Sequence, residues 1–188
     1  ITYHHHLPIS GSHRPVWPTY GTYRYLPPQR WLHGLEHAAI LLVYHPCVDT
    51  KDLQPLIDLL RSCVRRHLIT PYKGLSKSKP FALAAWGCKL EMSIPDVKKA
   101  KEFIMARANK GREPHVYHHG GYKSGLTQMA TEVSDYKDST VCPSNKESGR
   151  LLNLVGFLRV HSGFLPLLKT PTRKRIIEIK LNHMLVPK

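Results

Sequence analysis

Two stretches of this chain are apolar almost without relief: "AAILLVYH" over 38–45 and "PFALAAWGCKLEMS" over 80–93. A run of strand length without alternation predicts a strand covered on both faces. Pro46 closes the first run, and Gly87 marks a bulge or tight spot in the second. Between them, "DTKDLQPLIDLLRSCVRRH" sets Leu53, Leu56, Ile57, Leu60 and Val64 on one helical face. Its acids lead and its arginines trail, as the helix dipole favours. "IPDVKKAKEFIMARANKG" predicts a second amphipathic helix, with Asp96 near its start and Gly111 placed to end it. "HLITPY" reads as a short strand, and "WLHGLEH" has room for a turn or two of helix. The fold class is α/β: one sandwich-like domain with two helices packed on a small mixed sheet.

Ahead of these elements lies an extended arm rich in Pro and His. Prolines 8, 15, 18, 27 and 28 remove backbone donors and keep it out of helix. Trp17, Tyr20, Tyr23, Tyr25 and Trp31 offer aromatic surface to bury against the domain. From residue 128 the character changes. The polar, turn-rich "TEVSDYKDSTVCPSNKESG" reads as a linker, which divides the chain into a histidine-rich domain (1–127), a linker (128–149) and a basic, partly apolar tail (150–188). The tail is too broken to span a bilayer but is suited to lie on one. A start at Ile1 reads as a processed or partial chain.

The charge is lopsided, with 28 Lys+Arg against 13 Asp+Glu, for a net +15. Such a surplus suits an anionic surface or glycan as partner. It is spread along the chain and comes with no zinc-finger, RNA-binding or basic-zipper pattern, so no specific nucleic acid is expected. Four cysteines without a CxxC pair argue against a zinc ribbon. Cys47 and Cys63, at a strand end and a helix end, are the candidate disulfide.

Histidine is the anomaly, at 13 residues. His33, Glu36 and His37 stand at i, i+3 and i+4 and share a helix face, the spacing that lets side chains converge on an ion. HxxEH is also the inverted zinc-protease pattern, in which both histidines hold the metal and the glutamate activates water. A catalytic zinc needs a third protein ligand in addition, and no downstream motif supplies one. The alternative is a metal site without catalysis. There His13 is delivered by the arm to His33 and His37, with His6, His118 and His119 as further candidates. Glu36 then orients a histidine or a water, and acts as the base only if the chain is an enzyme. Imidazoles without paired thiolates suit copper, with zinc as the alternative.

The segment "LPISGSHRPVWPTYGTYRYLPPQRWLHGLEHAAILLVYHPC", with "LAAWGC", resembles a broad and largely uncharacterised family that includes tumour protein 53-inducible protein 13. The resemblance spans about residues 1–125 and rests on Pro8, Ser10, Gly11, His13, His33, Glu36 and His37. Ser12 and Ala38 depart from it, standing where many members have Pro and Gly. The resemblance implies a growth-inhibitory, stress-inducible type of protein, membrane-associated in relatives through an anchor, with no established reaction. It also implies a domain in the secretory pathway, extracellular or lumenal, where disulfides persist.

Overall fold

Leu41 and Val43 face one side of a central strand while Ile40 and Leu42 face the other, and both sides are covered. That double burial is why the run carries no polar alternation. The computed structural model describes residues 1–144. In chain order these form β1 (Gly21–Tyr23), α1 (Pro28–Glu36), β2 (Ile40–Tyr44), α2 (Thr50–Cys63), β3 (His67–Pro71), β4 (Phe81–Ala85), β5 (Cys88–Met92), α3 (Val97–Arg107) and β6 (Leu126–Met129). The sheet order is β5-β4-β2-β3-β1-β6. β3 pairs in parallel with β2 and with β1, and the other pairings are antiparallel. The class is thus α/β with a mixed sheet.

Three layers result. Leu53, Leu56 and Leu60 of α2 and Ala100 and Ile104 of α3 pack on the face that carries Ile40, Leu42, Ile69 and Leu83. On the opposite face lie α1, through Trp31, Leu32 and Leu35, and the arm, through Leu7, Tyr20, Tyr23 and Leu26. Two helices on one face are therefore joined by a third on the other. Gly34 makes this approach feasible, because a Cβ there would run into Leu68 of β3 and Pro18 of the arm. The indole of Trp31 donates to the Pro8 carbonyl at 3.1 Å, so the arm is pinned as well as packed.

Several sequence expectations need correction. The run over 80–93 is two strands joined by a tight turn, with Gly87 at φ 71°. Helix α2 stops at Cys63, and Arg65 and Arg66 turn into the interior, each 1 % exposed. Cys63 bonds to Cys142, 79 residues away, and not to Cys47, which is exposed and unpaired among the described residues. Helix α2 carries Cys63 to the end remote from Cys47, where the segment after β6 returns. As far as residue 144, the segment read as a linker is therefore part of the domain: β6 crosses the 127 boundary and Asp138 is fully buried. The rest of the expected linker and the 150–188 tail lie outside the described residues.

Candidate metal centre

Helix α1 begins on Pro27 and Pro28, whose fixed φ suits a helix start that has no side-chain cap. It presents His33 and Glu36 three apart, on one face. The arm is strapped across this face. The Arg14 amide donates to the Gln29 carbonyl at 3.0 Å, and the Arg30 guanidinium donates to the Val16 carbonyl at 2.8 Å. This strap delivers His13. Its Nε2 lies 3.0 Å from Glu36 Oε2, and its ring centroid is 4.6 Å from that of His33. The ligating atoms of His13, His33 and Glu36 all fall within 4.8 Å of one another.

The hydrogen bonds fix which nitrogen each ring offers. His33 Nδ1 lies 2.6 Å from the Arg14 carbonyl and His13 Nδ1 lies 2.9 Å from the Gly11 carbonyl. A carbonyl oxygen only accepts, so each Nδ1 carries the proton and each neutral ring keeps its lone pair on Nε2. An Nδ1–H tied to a backbone carbonyl is the usual outer support of a metal-bound histidine. Burial, opposed by the Arg14 carbonyl and reinforced by the neighbouring His37 and His13, holds the His33 pKa below its ordinary value. The neutral ring that a metal requires is thereby favoured.

His37 follows the same rule but stands apart. Its ring is 4.8 Å from that of His33, and its Nδ1 faces the Glu113 carbonyl at 3.3 Å. Its Nε2 is buried with no hydrogen-bond partner among the described residues. It does not belong to the converging group. Trp17 lies against His33, His37 and His118, with ring centroids 5.3, 4.6 and 4.8 Å away.

A loop closes the other side. The Glu113 amide donates to the Glu36 carbonyl at 2.8 Å, and a Cβ on Gly111 would strike that same carbonyl and Ala38. Glycine is what lets this loop lie flush on the end of α1. Between the two, Arg112 reaches to 3.8 Å from Glu36 Oε1. The loop is anchored from within by the two buried arginines. Arg66 donates to the Pro114 carbonyl at 2.9 Å and to Asn109 Oδ1. Arg65 donates to the Tyr117 carbonyl and contacts His119 Nε2 at 3.3 Å.

The other histidines expected to contribute lie elsewhere. His6 pairs with Glu91 at 2.6 Å on the β5 edge. His118 is exposed and lies tilted against Trp17, while His119 accepts the Tyr20 amide at 3.2 Å. Burial and the positive charge of Arg65 hold the His119 pKa down. The protease pattern needs His33 and His37 on one ion with the glutamate free; here the converging pair is His13 and His33, and Glu36 converges with them, its Oε2 3.0 Å from His13 Nε2. Arg112, Arg65, Arg66 and Asp138 escaped the sequence reading, because isolated charges after a helix or in a loop look like solvated surface.

Residues 1–121 match the model of a family described as "Protein of unknown function (DUF3105)". No curated protein and no solved structure matches the chain. The match takes in His13, His33, Glu36 and Arg112, whereas Asp138 and Cys142 lie beyond it.

Proposed function

The chain belongs to the family described as protein of unknown function DUF3105, and we propose that its domain binds a divalent transition-metal ion, copper(II) ahead of zinc, through His13, His33 and Glu36. One observation carries the reading. With its Nδ1–H committed to Gly11, a neutral His13 turns the lone pair of Nε2 toward a carboxylate oxygen 3.0 Å away. Two acceptors that face each other need a cation between them, either a second proton on the ring or a metal. The adjacent Nε2 of His33 is left as a lone pair in the same group, which favours the metal. An imidazole and carboxylate set without thiolate suits copper(II) or zinc.

The same reading makes the domain a binder or buffer and not a hydrolase. Glu36 is used as a ligand beside His13, so it is not free to act as the base of an inverted protease site. The resemblance to the tumour protein 53-inducible family, together with the Cys63–Cys142 disulfide, supports placing the domain outside the cytosol, where disulfides persist. The net charge of +15 supports, as a second part of the proposal, an anionic surface or glycan as partner.

Metal content measured by mass spectrometry on untagged protein, purified without chelating resin, tests the proposal. Stoichiometric copper or zinc is expected, lost in a His13→Ala/His33→Ala double variant whose circular dichroism matches wild type. Metal-free protein that takes up neither added copper nor zinc overturns it.

A further inference from the structure

We infer that the remaining coordination position of the ion takes a small carboxylate ligand, with Arg112 as its second contact. This rests on the metal reading above. Among the described residues only three ligand atoms converge, and an ion held by three protein groups keeps a position for an outside ligand.

Charge decides what fills that position. A dication next to the single Glu36 carboxylate retains one positive charge, and the guanidinium of Arg112 adds another 3.8 Å from Glu36 Oε1. The acid next to Arg112, Glu113, is turned to the far ring, with its carboxylate 3.7 Å from His37 Nδ1. An anion therefore gains more there than a neutral water does.

The stance of Arg112 selects a carboxylate among anions. Its side chain is 72 % exposed, and its distance to Glu36 is an ion-pair distance, too long for a hydrogen bond. No hydrogen bond to a described residue occupies its fork of N–H donors, which is free to grip a planar carboxylate at two points. Its place is built in, since Gly111 on one side and the Glu113 amide on the other tie the loop to the end of α1. A ligand arriving from solvent at this edge meets the ion and the guanidinium together, while His13 and Glu36, 17 % and 10 % exposed, limit it to a small group.

The test uses the full chain loaded with cobalt(II), whose visible spectrum reports coordination, titrated with acetate at constant ionic strength against a chloride control. A saturable spectral change is expected with acetate and not with chloride. Loss of one charge-assisted contact moves the midpoint roughly tenfold or more upward in Arg112→Ala, with partial recovery in Arg112→Lys. A wild-type spectrum indifferent to acetate, or an equal midpoint in Arg112→Ala, overturns the inference and leaves the metal site standing. So does an acetate-free spectrum altered by His37→Ala, which places that imidazole in the fourth position. Failure of the wild type to bind cobalt, copper or zinc overturns both readings, and the absence of any cobalt spectrum sets that outcome apart.

Discussion

The carboxylate of Asp138 accepts the backbone amides of both Arg65 and Arg66, at 2.6 and 2.9 Å, and its second oxygen lies 3.5 Å from Arg66 Nε. One fully buried side chain thus ends α2's exit, neutralises a guanidinium and fixes the two arginines that hold the 109–119 loop. The histidine centre owes its outer wall to this interior relay, since Arg66 reaches the Pro114 carbonyl beside Glu113.

Asp138→Asn keeps the shape but loses the charge and one of the two acceptors. It leaves a buried guanidinium uncompensated and a backbone amide facing an NH2 group. Such a change costs about 3–5 kcal/mol, which urea unfolding followed by circular dichroism would register. A loss of under about 1 kcal/mol, the size expected of an ordinary surface substitution, would show that the relay does not depend on the carboxylate.

The disulfide acts on the same segment from its other end. Cys63 and Cys142 are separated by 79 residues, and the Cys142 amide donates to the Cys63 carbonyl at 2.9 Å. On chain-entropy grounds, closing a loop of that size contributes about 4–5 kcal/mol. The double variant Cys63→Ala/Cys142→Ala should unfold at markedly lower denaturant, and Cys47→Ala should unfold where the wild type does. If removing Cys47 were the more costly change, the pairing would be wrong.

His67 opens β3, is 2 % exposed, and gives its Nδ1–H to the Val64 carbonyl at 2.7 Å. Burial, opposed by that hydrogen bond and aided by Arg61 and Arg65, pulls its pKa from 6.5 to about 4. Between these values the unfolded chain takes up a proton that the folded chain refuses. Stability is therefore lost as pH falls through that window, by about 3 kcal/mol in all for this one group. Unfolding midpoints at pH 7.5, 5.5 and 4 should fall less steeply in His67→Gln than in wild type. Parallel curves would mean that His67 contributes nothing to acid sensitivity.

How legible all this was depended on whether local pattern or distant partner set the outcome. Strands β2, β3 and β4 and helices α2 and α3 follow from runs and spacing that are properties of their own segments. β1 and β6 did not. Each is short, and each is a strand only because a partner lies beside it: β1 along β3, and β6 against β1. The centre divides in the same way. His33 and Glu36 are one helix turn apart and visible as such, and the proline-stiffened arm made His13 a fair candidate. That His37, one residue on, would fall outside the group was not readable, because Trp17 and Glu113 come from distant parts of the chain. The same holds for the Cys63–Cys142 pairing, since "TVCPS" carries no sign that it returns to the end of α2.

Ala38 offers a local test of the chain's reversal after α1. It has φ 64°, in the left-handed region, where an L side chain costs about 1–2 kcal/mol and glycine costs nothing comparable. Glycine at this position would meet the backbone requirement without strain, and this chain meets it with alanine. Ala38→Gly relieves that strain, against about 0.5–1 kcal/mol of extra chain entropy and about 0.8 kcal/mol for a buried methyl. The terms nearly cancel, so the variant should unfold within about 1 kcal/mol of wild type. Ala39→Gly, equally buried but without the positive φ, has only the two penalties and should lose about 1–2 kcal/mol. Measuring the pair side by side separates backbone strain from burial. Equal losses at both positions would mean that the left-handed turn after α1 carries no strain for glycine to relieve.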